Sequence, residues 1–201
     1  MTEIFSTSNI IEALAYALIG PVVLILIGLV IHYLDLILTG AIARATNSTI
    51  AFIFRNYLTY FGTVHHELAH ALFAFVTGAK VLRINLIPRG TKLGSVEFET
   101  RGNIFFKSIQ LSLSAIAPVI FGAVSMFIMI YAILPKCSLA WHYILFVYIF
   151  ISIFFHMTMS TQDINNFLKG FPICLLILFV IFLFIKPDFY AIFDNIRSVL
   201  S

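Results

Sequence analysis

Charge is what this sequence has least of. Only 10% of its 201 residues are Asp, Glu, Lys or Arg, while 61% are apolar, and the mean hydropathy is +1.05. A soluble domain carries about a quarter of its residues as charges, so this chain cannot clothe a water-facing surface and is expected in a bilayer. The formal charge of +3 is small and scattered, which argues against a nucleic-acid partner. Cysteine is scarce as well. Cys137 sits by a short loop and Cys174 in an apolar run, so neither a disulfide framework nor a Cys-rich zinc site is expected. The opening residues, MTEIFSTSN, have no basic stretch, and the apolar run behind them is too long for a cleavable signal peptide. Residues 41–45 read as the end of a first helix. There is no internal repeat, low-complexity tract or nucleotide-binding appendage, and the length suits one domain, 1–201.

What is present is apolar sequence in long runs. Crossing a hydrocarbon core of about 30 Å takes about 20 apolar helical residues. Five segments qualify, at 13–34, 56–77, 108–134, 139–159 and 170–185. The expected architecture is an all-α polytopic membrane protein with about five transmembrane helices. The period changes between the second and third. Leu82, Ile84 and Leu86 fall on one face, 88–94 is turn chemistry, and Ser95-Val-Glu-Phe-Glu99 alternates again. This predicts a small membrane-associated β-hairpin over 80–99. Lys80, Arg83, Arg89, Lys92, Arg101 and Lys107 crowd this connection, against Arg44, Arg55 and Lys136 on the other side, plus Lys186 and Arg197 near the C-terminus. Positive residues favour the cytoplasm, which places the hairpin and N-terminus on the cytoplasmic side of the cell membrane and, with five spans, the C-terminus outside. The tail from Pro187 is expected at the interface or in solvent.

One motif carries chemistry. His66-Glu67-Leu68-Ala69-His70 sets two imidazoles at i and i+4, which stack on one helix face and can reach one ion. Zinc accepts His nitrogen at about 2.0–2.1 Å, and catalytic sites keep three protein ligands and a water. Glu67, one step round the helix, is placed as general base instead of ligand. In a soluble helix such a motif is usually a solvated face. Here it lies about 10 to 14 residues past Asn56, about 15–21 Å along an apolar helix, where polar groups are costly and tend to be functional. A third ligand must come from elsewhere. Asp163, in Ser160-Thr-Gln-Asp163-Ile-Asn-Asn166, could re-enter toward the site through an unwound stretch, and His156 is its rival. His65 points about 100° away from His66, while His32 and His142 suit interfacial anchoring.

The order of features resembles the site-2 proteases, intramembrane zinc metalloproteases. The matching parts are HELAHALFAFVTGAKV, a hairpin containing Gly94-Ser-Val-Glu-Phe98, a small-residue span with Ser114-Ala-Ile-Ala-Pro118, and an aspartate after a later span. They cover roughly residues 56–170. The aspartate segment is similar to that of a small divergent branch, in which Ser-x-x-Asp is followed by a glycine, here Gly170. The resemblance implies one zinc ion held by His66, His70 and Asp163, Glu67 as general base, and hydrolysis of a peptide bond in a membrane-spanning protein or peptide. The hairpin edge at 96–99 would then bind an extended substrate by strand addition. Two other readings predict different partners: a membrane metal- or haem-binding or transport protein, and a zinc hydrolase acting on a lipid-linked substrate. The small size is compatible with an oligomer, which nothing in the sequence specifies.

Overall fold

The computed structural model describes residues 7–87 and 94–185, together with Asp194 and Ser198. The turn expected at 88–93 and the tail expected from Pro187 lie outside the described residues, apart from those last two positions. The chain opens with α1 (Thr7–Ala45). Asn47 then caps the short α2 (Ser48–Ile53), its Oδ1 accepting from Ile50 N at 2.9 Å. A π-turn over Phe54–Leu58 leads into α3 (Tyr60–Val76), which carries the His-Glu-x-x-His motif. Gly78, at φ +89°, ends α3 in a left-handed residue that lets Ala79 N reach Ala74 O.

Strands β1 (Lys80–Asn85) and β2 (Ser95–Glu99) pair antiparallel, as the alternation predicts. An irregularity between Val81 and Arg83 shifts the register, and β1 ends before Leu86, so the expected single face of Leu82, Ile84 and Leu86 is broken. The register sets Lys80 opposite Glu99 and Arg83 opposite Glu97, two favourable cross-strand charge pairs.

Helix α4 (Ile104–Ile128) starts at the Asn103 cap, whose Oδ1 accepts from Phe106 N. It continues through a π-turn and a 3-10 turn to Lys136. Ser112, Ser114, Ala115 and Ala117 are buried, so the slim face anticipated for this helix is its packing face. Gln110, 2% exposed, ties the base of α4 to the loops, accepting from Arg101 N and donating to the carbonyls of Thr77 and Arg101. Then follow α5 (Ala140–His156) and α6 (Thr161–Phe184).

Among the described residues, three helical stretches are long and apolar enough to cross a membrane: Thr7–Ala45, Ile104–Lys136 and Thr161–Phe184; α5, with 17 residues, is shorter. Beside a buried apolar cluster that includes Ile31, Val119 and Phe167, the interior holds polar side chains and the exterior many large apolar ones. Ser152, Gln110, His70 and Asp163 are buried, while Phe75, Val76 and Ile144 are each over 70% exposed. Such an apolar exterior suits lipid.

The structure does not confirm the five expected spans. Met157 lies against Gly122, Phe167 against Ser112 and Gly170 against Ser108. As the α4 numbers fall, the others rise, so α5 and α6 descend along α4 in one direction. The segments expected as fourth and fifth spans thus run the same way along α4, with a break between them. Asn9 Nδ2 donates to Leu183 O, which brings the start of α1 to the end of α6; five alternating spans would have separated them. The reason is local. The polar stretch 161–169 reads as a loop by hydropathy, yet it forms the first turns of α6. Its start is fixed by Ser160 Oγ accepting from Asp163 N while Asp163 Oδ2 accepts from Ser160 N, a reciprocal cap.

Candidate metal centre

The break between α5 and α6 is what builds the site. Residues 157–160 form no helix, and they set the first turn of α6 beside the middle of α3. Asp163 is the third residue of that turn. Its Oδ2 accepts from Ser160 N at 2.8 Å and from Ser160 Oγ at 2.6 Å, so one carboxylate oxygen is held by the cap. The other, Oδ1, lies 3.5 Å from His70 Nε2.

The two motif histidines are oriented by main-chain carbonyls. His66 Nδ1 is 2.6 Å from His156 O, and His70 Nδ1 is 2.7 Å from Ser114 O. A carbonyl oxygen only accepts, so each Nδ1 carries its ring proton and each Nε2 presents a lone pair. The two Nε2 atoms face each other at 3.1 Å. Two lone pairs at that distance call for a proton or a cation between them. A third acceptor, Asp163 Oδ1, converges on the same point, and one proton cannot serve all three. The donor set therefore fits a metal ion. Ligand atoms of the three residues all lie within 4.8 Å of one another, the one such group among the described residues. The separations of 3.1 Å between the two Nε2 atoms and 3.5 Å from His70 Nε2 to Asp163 Oδ1 are short enough for one ion to touch all three.

No protein-family model, curated protein or solved structure matches this chain. The chemistry must therefore be read from its own residues.

His156 is committed elsewhere. Its Nδ1 donates to Ser152 O at 2.9 Å, and its Nε2 accepts from Thr63 Oγ1 at 3.1 Å. Both ring nitrogens are used, so its part in the centre is the carbonyl that orients His66. This carbonyl is free because α5 stops there, and helix-end carbonyls need outside partners. Ser152 binds the neighbouring turn of α3, accepting from Gly62 N at 2.7 Å and donating to Thr59 O at 3.0 Å. His65 turns away from the centre, as its position on the helix predicts. Its Nε2 is 2.9 Å from Ser125 Oγ, and its ring stacks on Phe121. His142 caps α5, its Nδ1 accepting from Ser138 N and Leu139 N. Cys137 and Cys174 are free thiols.

The three candidate ligands and Glu67 line one cavity of about 500 Å³. Residues of β2, among them Ser95 and Val96, form part of its wall. Gly94 comes so close to Glu67 that a methyl there would stand 2.6 Å from Glu67 Cγ. Arg55, a loop charge by sequence, and His32, which suits interfacial anchoring, also border this cavity. Asn166, one turn after Asp163, lines it as well, whereas Asn165 does not.

Proposed function

We propose that this chain is a zinc-dependent intramembrane protease that cuts a peptide bond in or near the transmembrane segment of a protein or peptide. The observation that carries the reading is the convergence of His66, His70 and Asp163 within 4.8 Å in a cavity that Glu67 also lines. Zinc is the metal this donor set favours. Two imidazoles and a carboxylate form a three-ligand catalytic set, and a buried arrangement leaves a position for water. When bound, the ion supplies Lewis acidity that makes water acidic and polarises a carbonyl.

The chain's own residues do the rest. Ser114 O and His156 O fix the tautomers of His70 and His66, so both Nε2 atoms stay available. Ser160 holds Asp163 through one oxygen and leaves the other free. Glu67 takes a proton from the attacking water and delivers it to the leaving amine, the two transfers that amide hydrolysis needs. The β2 edge supports substrate binding. A helical substrate hides its amides from water, and an extended segment paired to Ser95–Glu99 would expose its carbonyl to the centre. The apolar exterior suits substrate arrival through the lipid, and the cell membrane is the proposed location.

Capture with Glu67→Gln tests this reading. The variant should retain zinc and hold an intact membrane peptide that the unmodified protein cuts. A captured partner left whole by the active protein would defeat the proposal.

A further inference from the structure

Arg55 is the one arginine or lysine side chain bordering the cavity among the described residues, and the metal reading gives it no role. It projects from the π-turn between α2 and α3, a backbone irregularity of the kind found often at functional sites. Its NH2 group lies 2.9 Å from Asp35 Oδ2 on α1. The pair is lopsided: the Asp35 side chain is 11% exposed and the Arg55 side chain 35%. A guanidinium carries five N–H donors, and no second acceptor takes one from Arg55 among the described residues. Asp35 thus fixes the direction of the group while most of its donors stay open beside the cavity. Planar forked donors in such surroundings select carboxylates.

We propose that Arg55 is an anion anchor for the substrate, and that the substrate presents a carboxylate to it, from an acidic side chain or from its own C-terminus. The inference rests on the proteolytic reading above, because a peptide reaching the candidate ligands enters the cavity that Arg55 borders. Asp35 serves as the positioning residue.

Binding tests the anchor without requiring cleavage. The Glu67→Gln protein, loaded with zinc in phosphatidylcholine vesicles, is titrated with a model transmembrane peptide in three forms: one glutamate with an amidated end, glutamine with a free carboxylate, and glutamine with an amidated end. One acidic form should bind about tenfold tighter than the neutral form, and which form does so identifies the source of the carboxylate. Adding Arg55→Gln should erase the advantage. Adding Asp35→Asn should weaken it without erasing it, since the guanidinium keeps its charge but loses the partner that aims it. Three results would overturn the proposal: equal binding of all forms, equal loss in the Arg55→Gln and Asp35→Asn proteins (a mere strut), or loss of the advantage in phosphatidylglycerol vesicles (a lipid headgroup as occupant). The same peptides offered to the protein with Glu67 intact separate the two claims. An Arg55-dependent preference without cleavage keeps the anchor and removes the protease; cleavage without preference does the reverse.

Discussion

Gly94→Ala probes how tightly the hairpin holds the general base. The added methyl would stand 2.6 Å from Glu67 Cγ and 2.9 Å from Oε1. Non-bonded carbons rest about 3.5–4.0 Å apart, so the shortfall is about 1 Å. Either Glu67 or the strand must yield by that amount. A displacement of about 1 Å at a reacting group can cost about 100-fold in rate, within the range of about 10² to 10⁴ that a general base contributes. The three candidate ligands are not in that contact, so zinc content should stay at one per chain. The assay is cleavage of a transmembrane peptide in proteoliposomes, with kcat and KM separated and zinc measured on the same sample. A fall of about 100-fold in kcat with unchanged zinc is expected. A kcat within about threefold of the unmodified protein would refute the claim that Gly94 sets the position of Glu67. A raised KM alone would show that the hairpin had moved instead.

Other substitutions bear on the centre and the frame. Asp163→Ala should release zinc, while His156→Ala should keep it, because the ring of His156 is spent on Thr63 and Ser152 and its carbonyl survives the change; the opposite pattern in metal analysis would make His156 the third ligand. Ser160→Ala removes the hydroxyl 2.6 Å from Asp163 Oδ2, so zinc affinity should weaken about 10- to 100-fold and the α6 cap should lose about 1 kcal/mol; unchanged affinity in a competitive chelator titration would remove Ser160 from the centre. Gln110→Ala leaves one N–H and two carbonyls of the loops without their side-chain partner, which should destabilise the fold by about 1–3 kcal/mol. Thermal unfolding in detergent reads this, and an unchanged Tm would contradict it.

What could be read in the sequence was local or periodic. His66 and His70 are neighbours by helix geometry alone, the hairpin announces itself by alternation, and the small residues of α4 mark a close-packed face. The start of α6 was written in Ser160-x-x-Asp163, a reciprocal cap, but the low hydropathy of 161–169 disguised it as a loop. What stayed hidden depends on contacts between distant segments. Nothing local says that α5 and α6 run the same way along α4; that follows from Gly122 meeting Met157 and Ser108 meeting Gly170. The orienting carbonyl of His156 exists because α5 ends there. The Arg55–Asp35 pair joins residues on separate helices, and a π-turn leaves no pattern in composition.

The most direct test compares three preparations on one transmembrane peptide in proteoliposomes: the zinc-loaded protein, the same protein stripped by chelator, and zinc-loaded Glu67→Gln. Product is read by mass spectrometry. Cleavage by the first alone, returning to the second when zinc is restored, is the predicted result. Cleavage by Glu67→Gln at the unmodified rate, or cleavage that persists after zinc is removed, would contradict the account.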